Sequence, residues 1–144
     1  MSEILLKKKA PNQSLDAFVS VLDDLIGCNR WEEHESSNYP DGRYFMTTVL
    51  GVEIEAMSAD DAEFTAYDFC LWVKPEANPL ISQDVLTGLL ECMARRFAVR
   101  GYEVARPLSS HSGKGAVIYR LDPTRGTMPW EQVVIEQILG DIKS

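Results

Sequence analysis

The segment from Tyr44 to Met57 constrains the fold most, because its apolar residues alternate along the chain. The even positions carry mostly apolar side chains, whereas Glu53 and Glu55 occupy odd positions. A period of two residues is typical of a β-strand with one covered face. Gly51 interrupts the pattern and fits either a hairpin turn between two strands or a bulge in one long strand. The fold must therefore contain a β-sheet.

Further strands are predicted on both sides of this segment. Residues 67–73 carry large or apolar side chains on both strand faces apart from Asp68, which indicates a central strand. Residues 102–106 and 116–121 predict an antiparallel pair. Residues 4–6 are apolar and precede three lysines, which favours a short N-terminal edge strand over the alternative of an irregular chain end.

Three amphipathic helices are predicted from apolar residues at spacings of three and four. The first follows Ser14 as its N-cap and ends at Gly27, and the second runs over about 83–100 after Ser82. The third begins at Pro129, and its apolar stripe comprises Trp130, Val133, Val134, Ile138 and Ile142.

These elements predict an α+β fold in the order α-βββ-α-ββ-α. We expect a mostly antiparallel sheet of about five strands with three helices packed on it, together with the N-terminal edge strand. A chain of 144 residues with 45% apolar and 25% charged residues is expected to form one domain, 1–144.

The negative charge of the chain is concentrated in residues 31–63. This window holds nine carboxylates and one basic residue, Arg43. The whole chain has 22 acidic and 14 basic residues, so 13 of each lie outside the window. Charge runs are usually solvated surfaces, but a local field of one sign also steers partners of opposite sign. The nine acidic residues are Glu32, Glu33, Glu35, Asp41, Glu53, Glu55, Asp60, Asp61 and Glu63.

Composition argues against several classes of function. A sequence pI near 4.7 disfavours direct nucleic-acid binding, which needs Lys and Arg to neutralise phosphates. No run approaches the eighteen or so apolar residues of a membrane span. The N-terminus lacks the apolar region of a signal peptide, and three widely spaced cysteines form no CxxC pair, so we expect a cytoplasmic protein.

The sequence contains no complete catalytic, metal-binding or cofactor-binding signature, and we expect no cofactor. His34 lies among glutamates but has no ligand partner at a zinc-site spacing. The best enzyme hypothesis is a hydrolase that uses His111 with Ser110 or Ser112, although adjacent residues of a loop seldom form a nucleophile–base pair. We therefore predict a non-enzymatic protein.

The segments SSNYPDGRYF, LGVEIE, ADD and YDFCLWVKP, within about residues 36–75, resemble in layout the small cytosolic immunity proteins of bacterial toxin and contact-dependent inhibition systems. The resemblance implies that the chain binds and neutralises one cognate toxin. Charge complementarity suggests a cation-rich toxin.

A second resemblance concerns the order of helices and strands, which is similar to that of small chaperones of type III secretion effectors. This resemblance implies binding of an effector segment in an apolar groove. The polar segment 28–43, predicted as a long surface loop, departs from the compact first connection of those chaperones. Whether the chain is a monomer or a homodimer is left open.

The predicted partner-binding residues combine the acidic window with one aromatic residue. Trp31 lies in a polar stretch without an apolar stripe to join, which fits either an interface hot spot or a side chain that covers the sheet edge. The set comprises Trp31, Glu32, Glu33, Glu35, Asp41, Glu53, Glu55, Asp60, Asp61 and Glu63.

Overall fold

A computed structural model describes residues 2–27, 30–60, 64–76, 81–108 and 114–141, with the side chains of 114 and 139–141 excepted. Over these residues the fold is α+β, with one antiparallel eight-stranded sheet and two α-helices. The elements are β1 (Ser2–Leu6), α1 (Leu15–Ile26), β2 (Glu32–Glu35), β3 (Arg43–Val49), β4 (Val52–Ser58), β5 (Phe69–Pro75), α2 (Gln83–Val99), β6 (Val104–Pro107), β7 (Lys114–Leu121) and β8 (Val133–Asp141), with 3-10 turns at Pro40–Gly42 and Pro129–Glu131.

The strands lie side by side in the order β2-β3-β4-β5-β1-β6-β7-β8. Both helices pack on one face of this sheet, where Phe18 of α1 stacks on Phe69 of β5 with ring centroids 4.4 Å apart. A second apolar cluster, which includes Leu5, Met57 and Ile118, lies on the other face and contains no helical residue. We call this other side the helix-free face.

The two helices confirm the predictions made from their capping residues. The Ser14 hydroxyl accepts a hydrogen bond from the Ala17 N–H, and Gly27 ends α1 in the left-handed conformation. The Ser82 hydroxyl accepts from the Val85 N–H at the start of α2. Neither helix is long and apolar enough to cross a membrane.

The prediction that the N-terminal strand lies at a sheet edge is wrong, because β1 lies between β5 and β6. Ile4, Leu5 and Leu6 are all buried, so both faces of this strand are covered. Three consecutive apolar residues without alternation are typical of an interior strand. The lysines that suggested edge protection follow the strand and lie outside it.

The predicted third helix is also wrong, and with it the counts of about five strands and three helices. A 3-10 turn at Pro129–Glu131 is followed by β8, which pairs with β7 from Val133 opposite Leu121 onward. Val133, Val134 and Ile135 favour extended backbone because they branch at Cβ. The backbone of β8 finds its hydrogen-bond partners in β7. The spacing of apolar residues within 129–142 could not reveal this pairing.

The predicted surface loop 28–43 contains a strand where it is described. Residues 32–35 form β2 and pair with β3, with His34 opposite Tyr44 and Glu35 opposite Arg43. Its local sequence, EEHE, has low strand propensity, so pairing with β3 determines its conformation. The predicted central position of the strand near residues 67–73 is confirmed, because β5 lies between β4 and β1.

Gly51 belongs to a hairpin turn between β3 and β4, which settles the alternative between hairpin and bulge. Val49 pairs with Val52, and the two turn residues Leu50 and Gly51 have φ of 51° and 77°. Positive φ at both positions defines a type I′ turn, for which Asn-Gly is the preferred sequence. Leu50 is 93% exposed and gains no packing in return for its left-handed backbone.

We therefore expect Leu50→Asn to raise the free energy of unfolding by about 1 kcal/mol, because a non-glycine residue other than Asn or Asp is disfavoured in this conformation. Urea unfolding of both proteins measures the difference. Leu50→Ala is the matched control, since it removes the same apolar surface without easing the backbone, and it should stay within about 0.5 kcal/mol of the wild type. Equal effects of the two substitutions would contradict the assignment.

Candidate binding site on the helix-free face

The hairpin register decides which side chains share the helix-free face. Met46 pairs with Glu55 and Thr48 with Glu53, so even positions of β3 lie beside odd positions of β4. Tyr44 and Met46 therefore join Glu53 and Glu55 on one face. Without a turn at Leu50 and Gly51, the sequence pattern predicts that the even residues and the two glutamates lie on different faces of the sheet.

Four aromatic rings form a continuous row across this face, which we call the ring row. His34 of β2 stacks on Tyr44 of β3 with centroids 5.2 Å apart, and Tyr44 stacks on Tyr39 at 4.0 Å. Tyr39 in turn lies 5.7 Å from Trp72 of β5. Offset and tilted ring contacts of this kind add packing energy beyond area burial.

Three of the four rings have a polar atom close to a carboxylate. His34 Nε2 lies 3.4 Å from Glu32 Oε2. The Tyr39 hydroxyl donates to Glu55 at 3.1 Å, and the Trp72 indole N–H donates to Glu3 Oε2 at 3.1 Å. Carboxylates at the ring edges and π faces between them make this surface attractive to positive charge.

Tyr39 reaches Glu55 because the segment before β3 folds back over the sheet. The Ser36 N–H donates to the Gly42 carbonyl and the Gly42 N–H to the Tyr39 carbonyl, both at 2.9 Å. Asp41 and Gly42 both adopt positive φ, which turns the chain tightly enough to lay Tyr39 on the ring row. The 3-10 turn Pro40–Gly42 thus positions an aromatic side chain over the sheet.

Glu55 is the most enclosed of the described carboxylates in the predicted set, with 3% of its surface exposed. Its Oε1 accepts from Tyr39 and lies 3.8 Å from Lys74 Nζ, whereas its Oε2 is buried without a hydrogen-bond donor among the described residues. Burial, reinforced by the adjacent Glu55 charge, raises the pKa of Tyr39 to about 12. The phenol therefore remains a proton donor at neutral pH.

A cavity of about 360 Å³ opens next to the ring row, and we call it the helix-free-face cavity. Tyr39 and Trp72 contribute aromatic walls, Met57 and Leu5 apolar surface, and Glu3 and Asp60 carboxylates. Neither Glu3 nor Asp60 forms an ion pair with a described cation. Aromatic walls with unpaired carboxylates favour an ammonium or guanidinium group as ligand.

The structure divides the predicted partner-binding residues between the two faces. Glu32, Glu53 and Glu55 lie on the helix-free face and Asp60 lines its cavity. Strand pleating places Glu33 and Glu35 on the opposite side, where Arg43 lies 3.2 Å from Glu33.

The remaining predicted residues also differ in setting. Asp41 is exposed on the 3-10 turn, and Trp31 is half-buried against the helix-side core with its indole N–H unsatisfied among the described residues. Asp61 and Glu63 lie outside the described residues, as do His111, Ser110 and Ser112 of the hydrolase hypothesis.

Several predicted acidic residues are already neutralised within the chain. Lys74 Nζ lies 2.8 Å from Glu53, and Arg43 Nη1 lies 3.2 Å from Glu33. Arg43 also binds Asp16 of α1, which is outside the predicted set, through both terminal nitrogens. These hydrogen bonds from Arg43 hold the pKa of the Asp16 carboxyl below its ordinary value. The carboxylates left for a partner on the cavity are therefore Glu3 and Asp60.

Sequence reasoning missed Glu3 because it lies far along the chain from the acidic window. β1 places Glu3 opposite Trp72, which is the last ring of the ring row. A local signal was present, since Glu3 is the single charge inside the N-terminal strand. Its significance depended on the nonlocal pairing of β1 with β5.

Comparisons with protein-family models, curated proteins and solved structures found no match to this chain. Within the described residues, no group of three or more His, Cys, Asp or Glu side chains is arranged to hold a metal ion. The function must therefore be inferred from the chemistry of the site.

The contact between Tyr39 and Glu55 can be tested by stability. We expect Tyr39→Phe to lower the free energy of unfolding by about 1–3 kcal/mol, because it leaves a buried carboxylate without its donor. Tyr44→Phe is the matched control, since the Tyr44 hydroxyl bonds no described residue, and it should cost less than about 0.5 kcal/mol. Equal losses in denaturant unfolding would show that the hydroxyl of Tyr39 is not a structural donor.

Proposed function

We propose that this chain is a non-enzymatic binding protein that captures a cation-rich partner protein through its helix-free face. The observation that carries the proposal is the helix-free-face cavity, where Glu3 and Asp60 lie beside Trp72 and Tyr39 and form no ion pair within the described part of the chain. A Lys or Arg side chain of the partner supplies the missing positive charge. Its aliphatic stem packs on the aromatic walls.

The dimensions of the cavity suit this ligand. A volume of about 360 Å³ is near the lower end of the range for small-molecule sites, which fits a side chain better than a large cofactor. A cation that is enclosed between aromatic rings and carboxylates gains more binding free energy than a cation on an exposed surface. Close, shielded charge pairs across interfaces are worth several kcal/mol, whereas exposed pairs contribute less than about one.

Neutralisation of a bacterial toxin is the biological role that we propose for this capture. Its support is the resemblance to immunity proteins over about residues 36–75. In the structure these residues include the turn that carries Tyr39, and strands β4 and β5, which carry Glu55 and Trp72. The segment that carries the resemblance thus also builds most of the candidate site. A bound basic partner would have its own anion-binding surface blocked.

Affinity capture with a pair of charge-matched variants tests the site. Glu3→Gln combined with Asp60→Asn removes two negative charges from the cavity. Asp24→Asn combined with Asp84→Asn removes two from exposed positions on the helices. We expect the wild type and the helix variant to capture the same basic protein from the native organism, identified by mass spectrometry.

The cavity variant should bind that protein at least tenfold more weakly, which corresponds to about 1.4 kcal/mol. Equal affinity of the wild type, the helix variant and the cavity variant would overturn the assignment of the cavity as the partner-binding site.

Salt dependence separates toxin capture from the chaperone alternative. Association steered by charge slows steeply as ionic strength rises, whereas binding of an effector segment in an apolar groove does not. We expect the association rate with the captured protein to fall at least tenfold between 50 and 500 mM NaCl, and the captured protein to lose its toxic activity when bound. A salt-independent rate with an unfolded segment as ligand would instead support a chaperone.

A further inference from the structure

A second cavity, of about 290 Å³, lies on the helix side of the molecule, and we call it the arginine pocket. It is formed where the end of α1, the end of α2 and the 3-10 turn Pro129–Glu131 approach one another. Its lining residues are Leu25, Arg95, Arg96, Val99, Arg100 and Trp130.

The three arginines of this pocket have no carboxylate partners in the described part of the chain. Two arginines elsewhere in the fold are paired by contrast, Arg106 with Glu91 and Arg120 with Glu136. Cations at the end of α2 complement the helix dipole, but that effect is worth only about 0.3–1 kcal/mol for a surface residue. It does not account for the aromatic and apolar surface gathered beside the same guanidinium groups.

Trp130 supplies that aromatic surface, and 66% of it is exposed. Its indole N–H bonds no described residue. Leu25 and Val99 add apolar surface to the lining of the same cavity. Trp and Arg are enriched at the energetic centres of protein interfaces, whereas Lys and Glu are depleted there. The composition of the pocket is therefore that of an interface centre.

We propose that the arginine pocket binds an acidic peptide segment of a partner protein. An apolar side chain of the segment enters the cavity against Trp130, and flanking carboxylates bind the guanidinium groups of Arg95, Arg96 and Arg100. Arg binds carboxylates through paired N–H donors, which fixes the orientation of the segment. A nucleic-acid backbone is disfavoured as the occupant because three guanidinium groups neutralise few phosphates, and the apolar surface of Leu25 and Val99 has no counterpart on a phosphate backbone.

The probe for this proposal is a fluorescein-labelled peptide in which one central Leu is flanked by Asp and Glu. We expect saturable binding by fluorescence anisotropy at 50 mM NaCl. Replacing the central Leu by Ser, or the acidic residues by Lys and Arg, should weaken binding of the peptide at least tenfold. Trp130→Ala and the double variant Arg95→Gln with Arg96→Gln should each weaken it to the same degree.

Control variants distinguish this pocket from general charge effects and from the helix-free face. Val85→Ala changes an exposed apolar residue near the start of α2, and Arg120→Gln removes an arginine elsewhere. Both should bind the peptide like the wild type, and so should Glu3→Gln with Asp60→Asn. Trp130→Phe keeps an aromatic ring and should retain most of the affinity. Far-ultraviolet circular dichroism and thermal unfolding confirm that each variant is folded.

Three results would overturn the proposal. The first is the absence of saturable binding up to 1 mM protein. The second is binding that does not depend on Trp130 or on the arginines in folded variants. The third is a single-stranded DNA oligonucleotide that binds more tightly than the peptide and displaces it. The capture experiment on the helix-free face is unaffected by any of these outcomes, so the two proposals can fail separately.

Discussion

The pairing of β1 with β5 on one side and β6 on the other is the interaction on which the rest of the structure depends. In the strand order, β1 joins the half of the sheet that contains β2–β5 to the half that contains β6–β8. Its hydrogen bonds connect residues about seventy and a hundred positions apart in sequence. Such contacts carry a large loop-closure cost, which the burial of Ile4, Leu5 and Leu6 offsets. The same pairing places Glu3 beside Trp72 and so completes the candidate site.

Strand pleating and hairpin register determine how charge is distributed on this fold. The acidic window is continuous in sequence, yet alternate residues of β2 lie on opposite faces, and Arg43 and Lys74 neutralise part of it. A cluster in sequence is therefore not a cluster in space. The cavity owes its unpaired negative charge to one residue from the window, Asp60, and one from outside it, Glu3.

The sequence was sufficient for features that are specified locally. Both α-helices begin at a serine cap and the β3–β4 strands alternate, so each could be located from a few neighbouring residues. β8 could not be identified in this way, because Val133, Val134 and Ile138 satisfy helical spacing and the deciding partner, β7, is a separate strand. Of the site, Glu53, Glu55 and Asp60 were predicted from charge. The roles of Glu3 and of the stacked rings required knowledge of nonlocal pairing.

The two cavities show why the net charge of a chain is a poor guide to what each surface binds. At physiological ionic strength the field of an exposed charge is screened over about 8 Å, so a ligand responds to the groups that line its own site. The helix-free-face cavity is lined by carboxylates, and the arginine pocket by guanidinium groups, that form no ion pair with any described residue. A chain with a net charge of -8 can therefore present a local cationic site on one side and an anionic one on the other. Two partners of opposite charge can therefore bind the chain at separate sites without competing.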